Sequence, residues 1–584
     1  MNAVSVSTTI SAGRADRVTE RRSLLLVARQ RILLVASGFA LVAMVALIKI
    51  GSFGFSERAI AATTLEEALL PPRGELTDRN GYPLARAFPA YALWFDPTAL
   101  GEGEAPLVRS PREVAVRLNA IFPEMDIEVT AAKLASGRAG YLRRRVLPED
   151  AERIHDLGEP ALNLPQETER HYPQGSLGAH VLGYVDRDGI GRAGMERVLE
   201  ERLTDPDLRD HPVALSIDMR VQGALEDELR RGMLAVDAKG AAGIVLDVDT
   251  GEVMALASLP EYDPNKVVAH DLMLPDEEAA EGGVPKAFNR VTNQVYELGS
   301  TFKPLTVAAA IDAGVVRDLG RPWNAAPVQV QGRTLRDSHF LGNSLNVPQT
   351  LIHSSNTVTA RIADEMGQAR LQRTLVDLGM SERPYIELPG RGKPIWEGGK
   401  WSRIKNMTVS YGHGVAVTPL HLASAYAAMV NGGLWRPATL NRLDPGKAPK
   451  GRRVFKESTS SRMRQLLRMI TIYGTGKKAD APGYRVGGKT GSAEKPGVRG
   501  YRESSLISTF AAAFPMDKPR YVVVAMLDEP RGTTASSFQR TAAWNAAPIV
   551  GQLVPRIGPL LGVQPDTGHD VDISDLKPLV GDVD

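Results

Sequence analysis

The chain contains no cysteine. That absence excludes thiol nucleophiles, cysteine-ligated metal sites and disulfides, and it suits an oxidising compartment where a stray thiol is a liability. An excess of one charge is missing too. Seventy Lys and Arg stand against 68 Asp and Glu, and the resulting formal charge of +2 leaves no electrostatic footprint for nucleic acid. No internal repeat runs through residues 58–212. What remains is a chain of 584 residues, long enough for two or three domains with full cores.

The balanced charge is unevenly placed. Before Ile32 the chain carries Arg14, Arg17, Arg21, Arg22, Arg29 and Arg31 against Asp16 and Glu20, and then "ILLVASGFALVAMVALIKI" runs from Ile32 to Ile50. At 1.5 Å per residue this run matches a hydrocarbon core of about 30 Å. Arginines on its leading side predict a cytoplasmic tail (1–31), a single transmembrane helix (32–50) and the bulk of the chain outside. A cleaved signal peptide is the rival reading. No small-x-small site directly follows the run, although "AIAA" stands at 59–62.

Beyond the anchor, "PPRGELTDRNGYPLARAFPAYALWFDP" (71–97) alternates polar and apolar residues about Asp78-Arg79-Asn80-Gly81, a β-hairpin pattern. Helical spacing dominates from Pro111 to Asp156. Residues 58–212 read as one elongated α+β domain. From residue 213, a short strand and an amphipathic helix opened by Asp218 precede the apolar hairpin "GAAGIVLDVDTGEVMALASLP" (240–260). Helices dominate from 300 to about 475, then come "YRVGGKTGSAEK", "LISTFAAAFP", "RYVVVAMLDEP" and a closing helix. Two strands, a helical block and three strands predict an α+β fold, a five-stranded antiparallel sheet with helices on both faces, over 213–560. The tail 561–584, with six aspartates after Leu561, reads as loose or surface-bound.

Three polar clusters carry chemistry. In "YELGSTFKP", Ser300 and Lys303 stand three apart at the start of a helix, on one face, and Pro304 is tolerable because first-turn amides lack intrahelical partners. A lysine at the start of so apolar a helix is partly desolvated, which lowers its pKa and lets the neutral amine accept a proton. Alone, the spacing arises by chance about once in a chain this long, and a capping serine with a snorkelling lysine explains it equally. Ser354-Ser355-Asn356, before a second helix, fits an ordinary N-cap. Lys489-Thr490-Gly491-Ser492, after a short strand, fits a bulge with a solvated lysine. In combination, S-x-x-K, then S-x-N, then K-T-G in this order is the motif set of penicillin-binding proteins and class A β-lactamases.

With these motifs the chain resembles the class B penicillin-binding proteins, monofunctional cell-wall transpeptidases. The likeness includes "RGELTDRNGYPLA" (73–85) and "RHYPQGSLGAHVLGYVDRDGIGRAGME" (170–196), similar to the family's membrane-proximal pedestal. It also includes "VSYGHGVAVTPLHLASAYAAMVNGG" (409–433), between motifs two and three. "DSHF" (337–340), "SSN" and the Gly-Lys-Thr-Gly form lean toward the septal, cell-division subclass over the elongation subclass. Leu298 replaces a usual proline, and Ser492 stands where threonine is commoner. Neither departure removes a catalytic group.

The resemblance implies that Ser300 attacks the penultimate D-Ala carbonyl of a D-Ala-D-Ala stem peptide and that Lys303 takes its proton. Ser354 would relay a proton to the leaving amine, with Asn356 orienting Lys303 and the substrate amide. Lys489 would supply positive potential, Thr490 would bind the terminal carboxylate, and Gly491 would leave room for substrate. The backbone N–H groups of Ser300 and Ser492 would form the oxyanion hole. An amine from a neighbouring stem peptide would then take the acyl group, β-lactams would trap Ser300, and neither a metal nor an organic cofactor is implied. Implied partners are a membrane-embedded glycan polymerase and other division proteins at the septum of the inner membrane. A soluble β-lactamase needs neither anchor nor pedestal, and residues 58–212 are too short for a glycosyltransferase. A division scaffold with secondary catalysis is the rival from another class. His353 and His413 are read as structural, because serine–lysine chemistry needs no imidazole.

Overall fold

The computed structural model describes seven helical positions between Leu34 and Met44, and residues 72–99, 101, 107–280, 282–497 and 500–581. The chain divides into two units, Met1–Leu70 and Pro71–Asp584. Among the described residues no helix is long and apolar enough to cross a membrane. The expected tail 1–31 and most of the expected span 32–50 lie outside the described residues.

In the second unit, the Asp78–Gly81 turn joins β1 (Leu76–Thr77) to β2 (Pro83–Phe95), antiparallel as the alternation predicts. The Asp78 carboxylate accepts the N–H groups of Asn80 and Tyr82, both at 2.8 Å, and Gly81 supplies the positive φ that the turn needs. The long β2 is the hub of the pedestal. It pairs with β3 (Gly140–Val146) and β4 (Gln166–His171), while β1 pairs in parallel with β5 (Val213–Ala214). Helices α1 (Pro111–Ile121) and α2 (Ile127–Ala135) form a distal lobe, where Val114, Leu118, Phe122 and Leu134 pack with Leu93 and Phe95 in a core of their own.

Asp218 caps α3 (Met219–Ala235), and a five-stranded sheet follows. Its strands are β6 (Gly240–Asp247), β7 (Val253–Leu259), β8 (Gly487–Gly497), β9 (Gly500–Phe514) and β10 (Tyr521–Asp528). Their order is β8-β9-β10-β6-β7, antiparallel throughout. Both faces are apolar because β6, β7, β9 and β10 each contribute to two cores. Ala242, Ile244, Val522 and Val524 face one, and Ala241, Val245, Val523 and Ala525 face the other. The first core holds α4 (Lys303–Asp312), α5 (Val347–Ile352), α6 (Asn356–Met366), α7 (Pro419–Val430) and α8 (Glu457–Tyr473). The second holds α3 and α9 (Ala546–Ile557). The first core also takes in Leu76, Leu84, Tyr172, Val181 and Leu203 of the pedestal.

Residues 562–581 are bound to the rest of the unit. Leu576 and Val580 are buried in the first core, and Asp570 pairs with Arg468 of α8.

Candidate active site

Gly299–Phe302 is a 3₁₀ turn that continues directly into α4. Lys303 N–H bonds Ser300 C=O, closing the i→i+3 ring, and side chains three apart eclipse in such a turn. Ser300 and Lys303 therefore share one azimuth, on a segment tighter than the α-helix that the spacing predicts. Gly299, at φ +55°, makes the entry possible. α4 is buried along most of its length, and Lys303 is fully buried at its first turn.

Ser354 comes from the corner between α5 and α6 and adopts φ +60°, a conformation rare for a residue with a Cβ. The corner is held from both sides. Ser355 caps α6, accepting Val358 N–H at 3.2 Å. Asp337 receives Ser355 Oγ and Thr357 Oγ1 at 2.8 Å each, the Thr357 N–H at 3.2 Å and the Asn356 N–H. A carboxylate at a helix N-terminus satisfies orphan amides and meets the positive end of the dipole.

Lys489 extends from β8, the edge of the sheet. A Cβ at Gly491 would lie 2.4 Å from Leu298 O and 2.8 Å from Thr301 Cγ2, so the glycine lets β8 lie directly on the 3₁₀ turn. Ser354 Oγ accepts from Lys303 Nζ at 3.0 Å and from Lys489 Nζ at 2.9 Å. Lys303 Nζ also donates to Ser354 O, and Lys489 Nζ to Thr490 O at 3.1 Å. Thr490 Oγ1 meets Thr475 Oγ1 at 2.6 Å, while Ser492 Oγ accepts Ala542 N–H at 3.1 Å.

Burial dominates the electrostatics. It holds the Lys303 amine well below its usual pKa, the charge of Lys489 pushes it further down, and Asp337 opposes them. Burial brings Lys489 down to about 7. A lowered pKa makes the neutral, proton-accepting form of such an amine easier to reach.

Residues 241–551 match the family model of the penicillin binding protein transpeptidase domain, and residues 68–206 that of the penicillin-binding protein dimerisation domain. The chain is 37% identical over 507 residues to the probable peptidoglycan D,D-transpeptidase FtsI of Caulobacter vibrioides, covering 85% of this chain and 82% of that one. It is 30% identical over 521 residues to peptidoglycan D,D-transpeptidase FtsI of Escherichia coli K12, covering 85% and 84%. The chain belongs to the class B penicillin-binding proteins. The fold agrees with penicillin-binding protein 3 of Mycobacterium tuberculosis, solved with aztreonam, at a TM-score of 0.64 and 22% identity over 86% of this chain and 99% of that one. As a member of this family it is a serine D,D-transpeptidase.

In this penicillin-binding protein the three motifs converge although 189 positions separate Ser300 from Lys489. Lys303, Ser354 and Lys489 meet at one oxygen, with Thr490 beside them. Among the described residues none hydrogen-bonds to Ser300 Oγ. Asn356 turns its side chain to Arg336 O, at 3.4 Å, and makes no bond to Lys303. Asp337 and Thr475 join the site without a spacing signal in the sequence, because each acts across a loop contact. His413 Nδ1 lies 3.1 Å from the Glu297 carboxylate, which also accepts Gly414 N–H at 2.8 Å, and His353 ends α5. A cavity of about 850 Å³, lined in part by Arg144, Arg145, Arg187 and Lys266, lies at the pedestal and includes none of the motif residues.

Proposed function

We propose that this class B penicillin-binding protein cross-links septal peptidoglycan, with Ser300 as nucleophile and Lys303 as its base. Ser300 Oγ attacks the carbonyl of the penultimate D-Ala and its proton passes to neutral Lys303. The tetrahedral oxyanion is held by the N–H groups of Ser300 and Ser492, where one lost donor typically costs about 3 kcal/mol. The C–N bond to the terminal D-Ala then breaks, and that amine leaves with a proton relayed through Ser354. Lys489 supplies positive potential and Thr490 binds the terminal carboxylate, while Gly491, expected to leave room for substrate, instead lets β8 close on the turn that carries Ser300. Asn356 exchanges its long bond to Arg336 O for the substrate amide. Attack by an amine of a second stem peptide expels Ser300 Oγ and forms the cross-link. β-Lactams follow the first half of this path and stop.

The observation that carries the reading is the bonding of Lys303 and Lys489 to the one Ser354 hydroxyl, inside a buried cluster one turn from Ser300. The septal role is supported by the "DSHF" and Gly-Lys-Thr-Gly forms and by relatives named FtsI. It would place the enzyme in the inner membrane, held by residues 32–50, with 58–212 as pedestal, 213–560 as catalytic domain and 561–584 as tail, beside a glycan polymerase and other division proteins.

Labelling the purified chain with a fluorescent penicillin tests the chemistry. Covalent label is expected on the native chain and absent from Ser300→Ala of equal thermal stability; label on that variant overturns the assignment. Depletion in cells is expected to give filaments. Rounded cells would move the enzyme to the elongation class.

A further inference from the structure

α8 backs both lysine-bearing elements. Its C-terminal glycine, Gly474, presses on the last residue of α5, since a Cβ there would meet Ile352 O at 2.7 Å. Farther back along the same helix, Gly487 at the start of β8 lies against Leu467 and Arg468, where a Cβ would come within 3.1 Å of their backbone. α5 leads into Ser354 and β8 into Lys489, so movement of α8 against either changes the separation of those two side chains.

The acidic tail runs along the outer face of this helix in the opposite direction. Arg468, Gln465 and Arg462 stand three apart on one face. Arg468 Nη2 donates to Asp570 Oδ2 at 2.7 Å, Gln465 Nε2 to Asp572 O at 2.6 Å, and Arg462 Nη1 to Asp575 Oδ2 at 2.5 Å. Each end of this run is fastened to a different catalytic element. At one end, Asp566 N–H bonds Gly483 O at 2.8 Å and Arg485 Nη1 bonds Asp566 O at 3.1 Å, just before β8. Arg468 joins the same corner through Val486 O at 2.9 Å. At the other end, Asn346 Nδ2 donates to Leu579 O at 2.6 Å and Gln349 Nε2 to Val580 O at 3.3 Å. Asn346 and Gln349 are the capping box of α5. Leu576 and Val580 seat this end in the first core.

We propose that residues 564–581 are a strap that clamps α5 and the start of β8 onto α8, and so positions Ser354 against Lys489 for acylation. This rests on the transpeptidase reading above. The strap touches no reacting atom and acts only through the geometry of the site. Its exposed ion pairs contribute little each, so the clamp depends on the whole run and on the two buried anchors.

The test compares the full chain, a chain ending at Val563, and the full chain carrying Leu576→Asp with Val580→Asp, which lifts the inner anchor without altering α5 or α8. The measurement is penicillin acylation resolved into noncovalent affinity and acylation rate. In both altered chains the rate is expected to fall roughly tenfold, within the ~100-fold that a misplacement of 1 Å can cost, with noncovalent affinity unchanged. A synthetic peptide of residues 564–584 at millimolar concentration, about what a short tether supplies, is expected to restore the rate of the truncated chain. Native-rate acylation in the Leu576→Asp, Val580→Asp chain with its tail open to protease overturns the strap. So does a peptide that binds the truncated chain and leaves its rate low. Failure of the intact chain to take up penicillin would instead sink the transpeptidase reading.

Discussion

Lys303 and Lys489 converge on Ser354 Oγ, at 3.0 Å and 2.9 Å. Two ammonium groups so close cannot both hold their charge at low cost, and the positive charge of Lys489 is the second cause, after burial, that lowers the pKa of Lys303. Lys489→Met therefore raises the pKa of Lys303. With Lys303 as the base proposed above, acylation requires its neutral amine, so the rate is expected to fall as pH drops through that pKa. The acidic limb of the acylation profile is expected to move to higher pH in the variant, whatever the loss in absolute rate. A pH series of penicillin acylation measures it, and an unmoved limb would mean that another group is the base.

The backbone at Ser354 separates two roles of one residue. At φ +60° a Cβ costs about 1 kcal/mol relative to glycine. Ser354→Gly is expected to melt above Ser354→Ala, while removal of the shared hydroxyl lowers acylation in both by about 10²-fold or more. Ser354→Ala keeps the backbone strain and loses the same hydroxyl. Equal rates with unequal melting temperatures are the expected pattern.

At Gly491 there is no room for a methyl group, with Leu298 O at 2.4 Å from its position. Gly491→Ala is expected to cost about 1–3 kcal/mol by overpacking. It also pushes β8 off the turn that carries Ser300, so acylation should fall further than the fraction unfolded accounts for. Thermal melting and penicillin labelling of the same sample compare the two losses.

Glu226 of α3 is a buried acid that binds the pedestal to the catalytic half, accepting Gly178 N–H at 2.9 Å and Gln222 Nε2 at 2.8 Å. Burial raises its pKa from an ordinary 4.5 to about 7. Between those values the folded chain holds a proton that the unfolded chain has lost, so stability falls as pH rises through the window, by up to about 1.4 kcal/mol per pH unit. Glu226→Gln is expected to remove that slope. The difference between the urea midpoints of the two proteins, followed from pH 4.5 to 7, reads it directly.

Much of this was legible where local rules act alone. The Asp78 turn, the Asp218 cap, the 240–260 hairpin and the three motifs each depend on residues close in sequence, and each is present. β3 corrects the helical reading of 111–156: "GYLRRRV" within it is a strand, because its place beside β2 rests on pairing across more than 40 residues that local spacing does not carry. The role of Asp337 was hidden for a similar reason. Its four bonds reach 18 to 20 positions ahead, to a serine, a threonine and two amides that carry no pattern pointing back. Ser300 and Lys303 were matched by α-helical spacing, yet they sit on a tighter turn that only Gly299 and the pressure of β8 account for.

The first core ignores the border between the two family matches. Leu76, Leu84 and Val181 share it with Leu305 and Val524, and Leu215 and Ile217 lie in it between the matched segments. A recombinant fragment begun at residue 241 would lose α3, which shields one face of the sheet, and leave the other face partly bare. Such a fragment should aggregate, whereas excision of the distal lobe with α1 and α2, whose cluster is its own, should leave a soluble remainder. The natural seam for cutting this protein runs through the pedestal and not beneath it.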